Sequence, residues 1–363
     1  MTEPEPLQQV DRTYVRFHGR KLSYFSGCDY FRLASHPGII AALADGVRKY
    51  GLNVSASRLT SGNHRIYTQL EQHLTRFFGT SAALVVSSGY MTNIIVTQAL
   101  AGNFSHALLD EKCHPSLKDA ACFLECPVLQ FRHRDPSDLS HAVKKCGPHS
   151  KLILLTDGLF SHDGSTAPLR EYLKILPADA VILLDDAHAA GILGATGQGS
   201  IENAHVSRRR IVQTMTFSKA LGVYGGAILG AATLRKKILA KSRMFVGSTP
   251  LPLPLANAAI RALQLVNNPE FRRRLFENSD YVRNSIRNTR LKFSEARGPI
   301  LAWRPRQIPE GLRLRAALLA AGIFPPYIRY PGGPQNGYFR FVISNEHTRL
   351  QLDDLIAVLN AHR

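Results

Sequence analysis

Cysteine is scarce and unpatterned in this chain of 363 residues: Cys28, Cys113, Cys122, Cys126 and Cys146 are all there are. An odd count without a regular framework excludes a disulfide-stapled scaffold and points to free thiols in a reducing compartment. Cys122-x-x-x-Cys126 has no second pair beside it, so no metal is expected there. Long apolar runs are missing as well, which excludes a transmembrane helix, and the N-terminal MTEPEPLQQVDR lacks a signal peptide's apolar core. The expectation is a cytoplasmic protein that engages no membrane. Internal repeats are absent. Acidic residues are in deficit, 27 against 45 Lys and Arg, for a formal charge of +18. No basic run is interleaved with aromatics as a nucleic-acid surface requires, so nucleic acid is not the expected partner. An acidic protein or a CoA thioester suits such a charge better. Arg208-Arg209-Arg210 and Arg272-Arg273-Arg274 read as solvated faces.

What is present is a rhythm of short apolar runs and helical patterns. Residues 12–33 alternate around His18-Gly19-Arg20, as a β-hairpin does. Helical spacing begins at His36-Pro37 and returns from Tyr67 to Phe78. Ala82–Val86, Ala107–Asp110, Lys151–Leu155 and Ala180–Leu184 are apolar runs that end at polar residues, with helical patterns between them. Strands buried on both faces look like this, and the alternation argues for an α/β fold with a mostly parallel, doubly wound sheet. Composition shifts at the proline-rich Ser248-Thr249-Pro250-Leu251-Pro252-Leu253-Pro254, followed by a helical stretch over 255–290. A helix near 311–321, strands near 326–330 and 338–344, and a terminal helix over 349–361 complete a smaller α+β part. The expected organisation is an N-terminal hairpin segment (1–35), a large domain (36–247) and a small C-terminal domain (248–363).

In doubly wound sheets the ligand site lies past the strand ends. Ser88-Gly89, Asp157, Asp185-Asp186-Ala187-His188 and Thr216-Phe217-Ser218-Lys219 all fall there. Each fragment alone is common. Together, in this order, they supply what pyridoxal 5′-phosphate chemistry needs: a lysine to hold the cofactor as a Schiff base and a carboxylate to keep a pyridine nitrogen protonated. Gly89-Tyr90, opening a helix, suits a phosphate.

Six segments in order carry a resemblance to a known family: Ser57-Arg58-Leu59-Thr60-Ser61-Gly62-Asn63-His64, Ser87-Ser88-Gly89-Tyr90-Met91-Thr92-Asn93, Phe160-Ser161-His162-Asp163-Gly164, Asp185-Asp186-Ala187-His188, Thr216-Phe217-Ser218-Lys219-Ala220-Leu221-Gly222, and Ser248-Thr249-Pro250. The chain resembles the α-oxoamine synthases, fold-type-I pyridoxal-phosphate enzymes, over nearly its whole length. The resemblance implies that Lys219 holds the cofactor and is the base at the substrate Cα. It implies that Asp185 meets the pyridine nitrogen, that His188 contacts the ring oxygen with Ser161 nearby, and that His114 stacks on the ring. Ser88, Gly89, Tyr90 and Thr216 would hold the phosphate, joined by Thr249 from a partner subunit, so the expected active unit is a homodimer with a shared site. Arg340 would grip the substrate carboxylate, and Asp29 occupies a substrate-proximal position.

Such enzymes condense a small amino acid with an acyl-CoA or acyl carrier protein and release CO2. The compact length is closest to the branch that joins L-alanine to a pimeloyl thioester in biotin synthesis. The substrate set departs from the family pattern: Asp29 replaces a frequent asparagine, Asn53-Val54-Ser55-Ala56 a glycine-rich run, Asp157 a glutamate, His162 a methionine, Ala189 a glycine, Tyr224 a small residue, and Pro331 a threonine. Glycine or serine as the amino substrate, or an aminotransferase or lyase on the same fold, are the rival readings. A degenerate, non-catalytic subunit is the remaining one, and the intact set Lys219, Asp185, His188 and His114 argues against it.

Overall fold

The computed structural model describes residues 5–329 and 334–362 and divides the chain into two compact units. The larger comprises residues 37–160 and 166–268. The smaller combines the N-terminal segment to His36, Ser161–Ser165 and Pro269 onward. Pro331 lies outside the described residues.

The larger unit is built on a seven-stranded sheet. Its spatial order is Ala82–Val86, Gly226–Gly230, Ile211–Thr216, Val181–Asp185, Leu152–Asp157, His106–Asp110, Val128–Phe131. Gly226–Gly230 runs antiparallel to both neighbours, and the remaining pairs are parallel. This is the fold-type-I architecture: helices on both faces force the central strands to be apolar throughout, and Leu152–Asp157 is buried at every position. Two apolar layers result, one on each face. Leu84, Ile95, Leu109, Ile153 and Leu183 contribute to one, and Leu108, Leu154, Ile182, Leu184 and Tyr172 to the other. Successive residues of one strand thus serve opposite layers, as the two-residue period of a strand requires.

Parallel register aligns the functional strand ends. Asp157 pairs with Asp185, and Asp185 with Thr214. The expected helical stretch over 255–290 is two helices, Leu253–Val266 and Pro269–Ser285. Asn267 caps the first, and Pro269 cannot continue it because it lacks an N–H. The first packs on Pro37–Tyr50 and Arg65–Phe78, so the chain leaves the larger unit at Asn268, some way beyond the proline-rich segment.

In the smaller unit, the strands Tyr14–Phe17 and Arg20–Tyr24 form the expected hairpin, with His18 and Gly19 at positive φ in its turn. Ile323–Phe324 extends that sheet in parallel. Ile300–Trp303, Tyr338–Val342 and Tyr327–Ile328 make a separate antiparallel sheet, covered by Ile308–Ala320 and Arg349–Ala361 around Phe339, Phe341, Leu314 and Leu355. Among the described residues no helix is long and apolar enough to cross a membrane.

Candidate active site

At the C-terminal ends of the parallel strands the larger unit holds a cavity of about 110 Å³. Lys219, Asp185, His188, His114, Thr216 and the Gly89-Tyr90 helix start all border it. These residues come from four separate parts of the chain, and strand register is what unites them.

Asp185 is buried at the end of its strand, yet its carboxylate is well provided for. Oδ1 accepts from Ala187 N–H at 3.0 Å, and Oδ2 accepts from Asn93 Nδ2 at 2.7 Å and Ser116 Oγ at 3.4 Å. Asn93 is in turn fixed by Thr214, whose hydroxyl donates to Asn93 Oδ1 at 2.7 Å. Asn93, Ser116 and Thr214 are fully buried, so this network holds one carboxylate orientation. Sequence reading missed all three as functional. Asn93 did carry a signal: an amide inside the apolar run Asn93-Ile94-Ile95-Val96 must find polar partners.

His114 caps the Pro115–Ala121 helix, its Nδ1 accepting from Ser116 N–H at 3.2 Å. Burial holds its imidazole below the ordinary histidine pKa, opposed by Asp185 and assisted by Lys219. A neutral, flat ring results. Its backbone N–H donates to Asp157 Oδ2 at 2.7 Å. Burial first, and the Asp185 charge second, raise the Asp157 carboxyl far above the usual range. Two neighbouring strand-end acids disfavour a second charge, and the side-chain amide and hydroxyl donors gather on Asp185.

Ser88 caps the Gly89–Leu100 helix, its Oγ accepting from Tyr90 N–H at 3.3 Å. A Cβ on Gly89 would lie 2.5 Å from Thr216 Cβ, so glycine is what lets the helix start approach the strand end. Amides at a helix N-terminus attract phosphate. The Tyr90 hydroxyl donates to Asp119, and its ring sits edge-on to His114 at 6.0 Å between centroids.

The remaining expected residues lie elsewhere. Thr249 is exposed and borders a narrow cavity with Arg58, Ser87 and Phe245. Ser161, Asp29 and Arg340 belong to the smaller unit. Both Asp29 oxygens accept backbone N–H groups, from Leu33 and Ala34 at 2.9 Å each, so this aspartate closes its own turn. Arg340 stands on Tyr338–Val342.

The donor set fits pyridoxal phosphate. An amine, a hydrogen-bonded carboxylate, a neutral ring and a glycine-opened helix start border one cavity. Fold and site together define a fold-type-I pyridoxal-phosphate enzyme. Residues 30–359 match the family described as aminotransferase class I and II. The chain is 35% identical to 8-amino-7-oxononanoate synthase of Thioalkalivibrio sulfidiphilus over 98% of its length and 90% of that protein's. It is 31% identical to 8-amino-7-oxononanoate synthase 1 of Bacillus velezensis, covering 96% and 90%. Serine palmitoyltransferase of Sphingomonas wittichii shares the fold, with a TM-score of 0.92 at 24% identity over 99% of this chain and 92% of that one. The protein belongs to the α-oxoamine synthase family and is a pyridoxal-phosphate-dependent acyltransferase.

Proposed function

We propose that this protein condenses L-alanine with a pimeloyl thioester, carried by CoA or by an acyl carrier protein, releasing CO2 and an α-aminoketone for biotin synthesis. The observation that carries the reading is the meeting of Lys219, Asp185, His188, His114 and Thr216 around one cavity, in a chain whose full-length relatives bear the 8-amino-7-oxononanoate synthase name. Bound there, pyridoxal phosphate supplies an electron-accepting ring that stabilises a carbanion at the substrate Cα. Lys219 holds the cofactor covalently and its Nζ moves the Cα proton. Asp185, held by Asn93 and Ala187, would keep the ring nitrogen protonated, and His114 would supply a ring for the cofactor to stack on. His188 and Ser161 address the ring oxygen. Ser88, Gly89, Tyr90 and Thr216 receive the phosphate, with Thr249 arriving from the second subunit of a cytoplasmic homodimer. Arg340 grips the substrate carboxylate, for which its planar fork is suited.

The test is CO2 release from L-alanine, glycine and L-serine, each paired with pimeloyl-CoA, acetyl-CoA and palmitoyl-CoA. The reading expects turnover chiefly with L-alanine and pimeloyl-CoA. Preference for serine with palmitoyl-CoA, or for glycine with acetyl-CoA, would move the protein to a different branch of the family.

A further inference from the structure

Arg208-Arg209-Arg210 does not fold into the solvated face its sequence suggests. Arg210 donates to Pro177 O at 2.6 Å and Leu173 O at 2.9 Å. Arg208 Nη1 donates to Gln213 Oε1 at 2.6 Å, while its Nη2 is buried without a hydrogen-bond partner. Arg209 is exposed. All three border a cavity of about 460 Å³, far larger than the 110 Å³ space at Lys219. Lys237 is a fourth cation on its wall, and among the described residues no carboxylate borders it. Asp186 and Glu202 offset part of the Arg208 charge. Leu100, Val212 and Leu234 supply an apolar wall. The Ala232–Lys241 helix begins here with no side chain capping its first N–H groups, which adds partial positive charge.

The place is distinct from the active site. Val181 and Ile211, which border this cavity, open the strands that end at Asp185 and Thr216. The length of a strand, about 15 Å at roughly 3.3 Å per residue, therefore lies between the two cavities.

We propose that this cavity binds a phosphorylated small molecule with an apolar or aromatic body, of about nucleotide size. Its volume falls in the range of roughly 300–1,000 Å³ typical of ligand sites. Arginine forks match phosphate oxygens, and the exposed Arg209 and Lys237 are the cations on this wall that a ligand can reach. The apolar wall takes the body of the ligand. This site is independent of the substrates assigned to the Lys219 cavity.

The experiment uses the holoenzyme with its cofactor fixed by borohydride reduction, so that free pyridoxal phosphate cannot compete. AMP, adenosine and inorganic phosphate are titrated separately by calorimetry. AMP is expected to saturate at one site per chain, at least roughly tenfold tighter than adenosine or phosphate alone. Arg209→Gln/Lys237→Gln is expected to weaken AMP roughly tenfold or more while unreduced enzyme keeps its condensation rate. Thr233→Trp, which fills the cavity, should do the same, and circular dichroism checks that both variants fold. Saturating pimeloyl-N-acetylcysteamine, a thioester without a nucleotide, should leave AMP binding unchanged. No saturable AMP heat, equal binding in the double variant, or displacement by that thioester would each overturn the proposal. The last would place AMP in the substrate cleft. Loss of condensation activity bears on the Lys219 reading alone.

Discussion

Asp186 Oδ2 accepts from Ser200 N–H at 2.9 Å and Gln213 Nε2 at 2.6 Å, and burial lifts its carboxyl to about 6. Its neighbour Asp185 meets Asn93, Ser116 and Ala187 instead. Adjacent acids at one strand end thus divide into a structural residue and the one proposed to meet the cofactor. The folded state binds the Asp186 proton more tightly than the unfolded chain, which ionises near 3.8. Stability from this group is therefore present below about pH 4 and is lost as pH rises towards 6, by roughly 2–3 kcal/mol. Asp186→Asn is expected to reduce that slope in urea unfolding across this range. Some slope should persist, because Asp157 is raised as well. An unchanged slope would mean that Asp186 ionises normally in the folded protein. Asn93→Ala removes the 2.7 Å donor from Asp185 and leaves a cavity in its helix. It is expected to lower the turnover number roughly tenfold to a hundredfold, as loss of an orienting partner does, with the protein still folded.

At the scale of elements, strand ends and helix starts make the site, and the Ser57–His64 segment locks one of them in place. Arg58 pairs with Glu71 at 2.5 Å with both side chains buried, and donates to Asn63 Oδ1 at 2.9 and 3.1 Å. Glu71 also accepts from Val85 N–H at 3.1 Å, tying the Arg65–Phe78 helix to the strand that leads to Ser88. Arg58→Met leaves a buried carboxylate with Arg235, 3.2 Å away, as its cationic partner among the described residues. A loss of about 3 kcal/mol is expected, read as a lower Tm, with partial recovery in Arg58→Met/Glu71→Leu. The strands before Ser88, Asp157 and Asp185 were legible because burial on both faces makes them continuously apolar. Gly226–Gly230 was not, since glycine at both ends reads as turn. There a Cβ on Gly226 would lie 2.8 Å from Gly89 Cα, so packing against the Gly89 helix start decides the residue. The helix break at Asn267–Pro269 was hidden by apolar spacing that continues on both sides. Asn93, Ser116 and Thr214 escaped notice because each is an ordinary polar residue whose value comes from long-range contact. Asp29 was legible as a departure from the family's frequent asparagine, but its turn-closing role depends on backbone N–H groups that no motif spells out.

For the whole molecule, the charge of +18 favours encounter with the phosphates of CoA or with an acidic carrier protein. Condensation kcat/KM should accordingly fall with rising salt, more steeply for the carrier-bound acyl group than for a small uncharged thioester. The shared-site reading expects a dimer by sedimentation, and Thr249→Ala should weaken cofactor binding without dissociating it. The central claim is the identity of the lysine. Borohydride reduction of the holoenzyme, followed by proteolysis and mass spectrometry, should place the phosphopyridoxyl group on Lys219, and Lys219→Ala should carry none. A modified peptide elsewhere in the chain, or label retained by Lys219→Ala, would contradict the account.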